Sequence, residues 1–99
     1  MGAQGDINRR KASIRRTILK ALLELGSGTL DDVLKYPGWA FIKPSREELV
    51  SETNELLACG YIENYVPGDY EWVRLTEKGT KQINQEATCD PRIWPGAAY

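Results

Sequence analysis

A small α+β domain, mainly helical and carrying one β-hairpin, is the fold class this sequence predicts, and three observations predict it. Ile14, Ile18, Ala21, Leu22 and Leu25 recur at helical spacing and stop at Gly26, where a left-handed cap belongs. Ser45 and Glu48 form an S-x-x-E capping box ahead of a second stripe, Leu49, Val50, Thr53, Leu56 and Leu57, which ends at Gly60. Two β-rich runs, Tyr61 to Val66 and Tyr70 to Leu75, flank Val66-Pro67-Gly68-Asp69, a turn in which proline pre-sets the second position and glycine the third.

The first helix starts at Ile7 or Ser13 and runs to Leu25, with Leu19 and Leu23 widening its apolar arc and Ser13, Arg16 and Lys20 lining the other side. Gly26-Ser27-Gly28 reads as a flexible break. No strand precedes it, so it is not a phosphate-cradling loop. Thr29 and Asp32 cap a short helix from Leu30 to Tyr36 that buries Leu30, Val33 and Leu34 and stops at Pro37-Gly38. Trp39 to Ile42 is either a short strand or a packed loop, with Trp39 and Phe41 covering the core. In the hairpin, closing the turn at Val66 and Asp69 pairs Tyr65 with Tyr70, Glu63 with Trp72 and Ile62 with Val73. Ile62 and Val73 then point inward; Tyr61, Tyr65, Tyr70, Trp72 and Arg74 point outward. Thr76 caps a last helix reaching Ile83. The chain thus divides into a basic segment at 1–12, a domain at 13–86 and an irregular tail at 87–99, with Ile93 or Trp94 free to lie across the hairpin face.

The 99 residues, 41% hydrophobic and 27% charged, suit one folded domain with a single core. The longest apolar run, Trp39-Ala40-Phe41-Ile42, is far short of a membrane span, and the polar, basic start lacks a secretory signal, which places the chain in the cytoplasm. Cys59 and Cys89 have neither CxxC spacing nor a histidine to complete a zinc site, so they read as free thiols and no metal or other cofactor is expected. Histidine is absent altogether, which removes the commonest general base. The adjacent acids Asp31-Asp32 and Glu47-Glu48 point about 100° apart on a helix and suit helix starts better than a catalytic pair. The sequence therefore predicts a binding protein and not an enzyme.

The helix, short helix, helix and hairpin order resembles a winged helix-turn-helix. Residues Leu49 to Ile62, whose Leu56, Gly60 and Ile62 are similar to the L-x-x-L-x-x-x-G-x-I ending of bacterial winged-helix regulators with Thr53 in place of the first leucine, and Leu75-Thr76-Glu77-Lys78-Gly79, similar to the L-T-x-K-G that closes their wing, carry the resemblance. More distantly, the layout is similar to small winged-helix proteins of Mu-like phages and prophages, which also end in a Pro/Gly-rich tail. The resemblance implies a DNA-binding protein, a transcriptional regulator or a phage-encoded accessory factor, with the third helix in the major groove. It also shows a departure: nine residues, Tyr36 to Pro44, separate the second and third helices, where such proteins have three or four.

Charge bears on that expectation. The formal net charge of −1 hides a split, because residues 1–24 hold six bases against two acids while the remainder holds seven bases against twelve acids. A basic start of this kind suits a polyanionic partner. Arg9, Arg10, Lys11, Arg16 and Lys20, with Arg74 on the hairpin, are the expected phosphate contacts, and Ser51 and Asn54 the expected base contacts. Against DNA, the outward face of the third helix also carries Glu47, Glu48, Glu52 and Glu55. The alternative is a protein-binding adaptor of the same fold, which would use that acidic helix together with Tyr61, Tyr65, Tyr70 and Trp72, aromatics of the kind enriched at interface hot spots. Self-association, through Leu19 and Leu23 or through that aromatic patch, is a further alternative the pattern leaves open.

Overall fold

The computed structural model describes the backbone of residues 2–39, 42–66 and 69–94, and the side chains of 9–39, 42–64 and 72–94. In chain order the elements are α1 (Gly2–Leu25), β1 (Ser27–Thr29), α2 (Leu30–Leu34), a 3₁₀ turn (Pro37–Trp39), α3 (Arg46–Cys59), β2 (Ile62–Val66), β3 (Asp69–Leu75) and α4 (Glu77–Ile83). The result is an α+β domain in which helices pack on a three-stranded antiparallel sheet of order β1-β3-β2. No helix among the described residues is long and apolar enough to cross a membrane.

α1 crosses residue 12 without interruption, so the basic segment is the first half of the helix. Ala12 is already buried in the fold. The stripe Ile14, Ile18 and Leu22 meets Leu49 and Leu56 of α3 and Val33 of α2 in one core cluster, closed by Ile62 and Val73 from the sheet. Each such side chain, fully withdrawn from water, contributes roughly 1.5–3 kcal/mol. Gly26 takes φ +84° and donates to Leu22 O at 2.8 Å, ending the helix as its position suggests.

Ser27-Gly28-Thr29 is a strand and not a flexible break: these residues pair with Arg74, Val73 and Trp72 of β3. Three small polar residues carry no periodic signal. Only the backbone of β3, more than forty residues away, makes them a strand. Both capping boxes form, Thr29 with Asp32 on α2 and Ser45 with Glu48 on α3. α2 ends at Leu34, two residues earlier than its pattern suggests, and the 3₁₀ turn then carries Trp39 back onto it. The buried Trp39 indole donates to Val33 O at 2.8 Å, anchoring the start of the long α2–α3 connection. Phe41 lies outside the described residues.

The hairpin register departs from the simple pairing. Val66 does pair with Asp69 at the tip, but beyond an irregularity at Asn64/Val66 the partners are Asn64–Val73, Glu63–Arg74 and Ile62–Leu75. Glu63 therefore faces Arg74 and not Trp72. A shift by two preserves side-chain parity, so Ile62 and Val73 still point into the core.

The two segments that carry the family resemblance meet in space. Gly60, at φ +79°, caps α3. The first turn of α4 then grips that cap: Thr76 Oγ1 donates to Gly60 O at 2.6 Å and accepts from Gly79 N at 3.1 Å, Thr76 N donates to Tyr61 O at 3.1 Å, and Lys78 Nζ donates to Cys59 O at 2.8 Å. One hydroxyl caps one helix and satisfies the orphan carbonyl beyond another.

Candidate functional site

The outward face of α3 is less acidic than its sequence. Glu48 turns to α1 and takes a two-point ion pair from Arg10, with Nε at 2.8 Å and Nη2 at 3.0 Å, while also accepting from Ser45 N at 3.0 Å. The Arg10 hydrogen bond, followed by that of the Ser45 amide, holds the Glu48 carboxyl down at about 2. Glu52 is only 4% exposed and accepts from Arg15 Nε at 2.8 Å. Two of the four carboxylates expected on this face are thus spent against α1. Both lie on the flank of the helix that a 100° step places next to the apolar stripe, where a long arginine side chain can reach them.

What remains outward is Glu47, Val50, Ser51, Asn54 and Ala58, all exposed, with Glu55 half-buried. Arg46, Glu47, Val50, Ser51 and Asn54 line an open groove of about 660 Å³. Arg46 also bridges to Asp31 of α2 at 2.7 Å. The two expected base-reading residues, Ser51 and Asn54, are therefore brought together at one groove.

The basic residues divide. Arg9, Lys11 and Lys20 are exposed and form no ion pair among the described residues. Arg10 is committed to Glu48. Arg74, expected at phosphate, lies against Glu63 at 2.7 Å. Arg16 does not stand on an open edge as the sequence suggests: its Nη1 donates to Ile93 O at 2.8 Å, its Nη2 donates to Ser13 Oγ at 2.9 Å, and its guanidinium lies 5.4 Å from the centre of the Trp94 ring. Burial pushes its pKa down.

The aromatic partner face is corrected too. Tyr61 is 3% exposed, not outward, because it precedes β2 at the α3 cap and its hydroxyl donates to Asp90 Oδ2 at 2.6 Å. Trp72 is half-buried, with Nε1 3.4 Å from Ser27 Oγ on the unforeseen β1. The side chains of Tyr65 and Tyr70 lie outside the described residues. Leu19 is fully buried and Leu23 is 43% exposed, so the pair does not form one association surface.

The described residues 88–94 of the tail lie against α1 and α4 and not across the hairpin. Ile93 is 1% exposed within the core. Trp94 Nε1 donates to Gln82 O at 3.1 Å, Gln82 Nε2 to Thr88 O at 3.1 Å, and Asp90 N to Gln82 Oε1 at 2.8 Å. Arg92 closes on Asp90 through its backbone N at 2.9 Å and its Nη2 at 2.8 Å. Asp90-Pro91 could have signalled this turn, since an aspartate before proline favours one. Gln82, a polar residue in a short helix, offered no signal.

Burial alone would raise the Asp90 carboxyl, but the hydrogen bonds from Arg92 and Tyr61 together outweigh it and hold it at about 2. Burial, then the bond to Asp90, pushes Tyr61 up to about 12. A carboxyl depressed in the folded chain stabilises above its unfolded value, near 4, and that stabilisation is lost as pH falls towards 2. A tyrosine raised in the folded chain stabilises below pH 10 and loses the contribution as pH rises towards 12. Tyr61→Phe is therefore expected to cost about 1.5 kcal/mol at neutral pH. The loss should shrink between pH 10 and 12, read as thermal unfolding across a pH series.

Cys59 and Cys89 are free and half-buried, and burial leads the effects that push the Cys59 thiol up. Among the described residues no cluster of three or more His, Cys, Asp or Glu could hold a metal ion. No family model, curated protein or solved structure matches the chain.

Proposed function

We propose that the chain is a winged-helix DNA-binding domain, of the kind found in transcriptional regulators and phage accessory factors. The element order α1-β1-α2-α3-β2-β3 and the sheet order β1-β3-β2 support the winged-helix reading, with α3 as the recognition helix and β2–β3 as the wing. One observation carries the DNA reading. An ion pair to Arg10 offsets the charge of Glu48, one to Arg15 withdraws Glu52, and Ser51 and Asn54 are left with Arg46, Glu47 and Val50 around a groove on the outer face of α3. DNA carries one negative charge per roughly 1.7 Å of axis, so an unpaired acidic face would be repelled. Arg9, Lys11 and Lys20 then make the positioning contacts to phosphate. A protein-binding adaptor of the same fold is less favoured, since Tyr61 is withdrawn from its surface and Trp72 is half-buried.

Titration of mixed-sequence duplex at about 50 mM and 200 mM salt tests the reading. Binding is expected to weaken with salt. Changing Arg9, Lys11 and Lys20 to alanine should each reduce the log–log slope by about 0.9. Ser51→Ala and Asn54→Ala should instead leave the slope and relax discrimination between sequences. Absence of binding at low salt, or indifference to the three basic substitutions, overturns it.

A further inference from the structure

Residues 88–94 do more than finish the fold. At 100° per residue Arg9, Arg16 and Lys20 fall within about 40° of one another on α1, a row about 16 Å long. That length is too great for one phosphate and suited to a chain of them. In the structure only the two ends of the row are exposed. The middle cation, Arg16, is held at Ile93 O and under the Trp94 ring, while the neighbouring Arg15 donates to Arg92 O at 3.0 Å as well as to Glu52.

We propose that residues 88–94 are an autoinhibitory strap that withholds Arg16 from a polyanionic ligand. The idea rests on the reading of α1 as a phosphate-contacting helix. The strap is attached through the Ile93 side chain, the Trp94 ring and its indole bond to Gln82 O, the two sides of the Gln82 amide, the Tyr61 hydroxyl and the two arginines. The Asp90–Arg92 pair is internal to it and does not fasten it to the domain. A segment held by two side chains and a set of hydrogen bonds opens locally at lower cost than the helices and sheet beneath it. Opening would expose Arg16 and complete the row.

Two opened forms test this, Ile93→Ser combined with Trp94→Ala, and the milder Gln82→Ala, each checked for helix content and a cooperative thermal transition. Each is titrated with mixed-sequence duplex and with heparin across a salt series, with and without Arg16→Ala. In opened chains the log–log slope is expected to steepen by about 0.9, and Arg16→Ala should abolish that gain while leaving the slope of the parent chain unchanged. Reaction of Arg16 with phenylglyoxal, read by mass spectrometry, should be slow in the parent and fast in the opened chains. A strap-dependent gain on heparin with no duplex binding by any chain would overturn the DNA reading and sustain the strap. The strap is overturned if opened chains bind both polyanions with the parent's slope, or if Arg16→Ala weakens the parent equally.

Discussion

Gly79→Ala is expected to lower stability by about 3 kcal/mol, and thermal unfolding should fall by on the order of 15 °C. A Cβ at this position would land on the carbonyl oxygen of Tyr61, with Leu75 Cδ2 3.1 Å away. The obstacle is backbone and not a flexible side-chain tip. Relief therefore requires α4 to lift from the α3 cap, breaking the bonds that Thr76 makes to Gly60 and Tyr61. Gly60→Ala is the control. Gly60 is glycine because of its left-handed backbone, and an added Cβ there meets only the Lys78 side chain at 3.9 Å, so the cost is about 1 kcal/mol. Equal losses at the two positions would show that α4 is not pressed against Tyr61.

Arg15→Ala is expected to cost about 3 kcal/mol, because it leaves the carboxylate of Glu52 buried between α1 and α3 without its partner. It also removes the bond to Arg92 O. The pair should be strongly non-additive: Arg15→Leu with Glu52→Leu should regain most of the loss, since two apolar groups need no partner. Urea unfolding of Arg15→Leu, Glu52→Leu and the double variant forms the cycle. A double variant as unstable as the sum of the two singles would show that the pair is not coupled. Arg10→Ala should leave the urea midpoint almost unchanged, because Arg10 and Glu48 are both substantially exposed and solvent screens the pair.

These contrasts show why the site was only half legible. Ser51 and Asn54 were readable as outward because the apolar stripe of α3 sets its own opposite face, a matter of helical period alone. The same arithmetic put Glu48 and Glu52 outward, since it knows nothing of the neighbouring helix. Arg10 and Arg15 lie 38 and 37 residues away in sequence and reach those carboxylates only once α1 packs on α3. Tyr61 was misplaced for a related reason. Alternation was extended one residue past the start of β2, into a position that belongs to the helix cap and is covered by the tail.

Helix stripes, the capping boxes at Thr29 and Ser45, the glycine stops at 26 and 60, and the inward pair Ile62 and Val73 were determined by the sequence itself, because each depends on residues within a turn or two of one another. Tertiary structure alone decided β1, the Gly79 contact, the pairing of α1 bases with α3 acids and the masking of Arg16 by the tail. Those features require chain segments far apart in sequence to meet. The free energy that holds them comes from burial and from partners the local pattern does not contain.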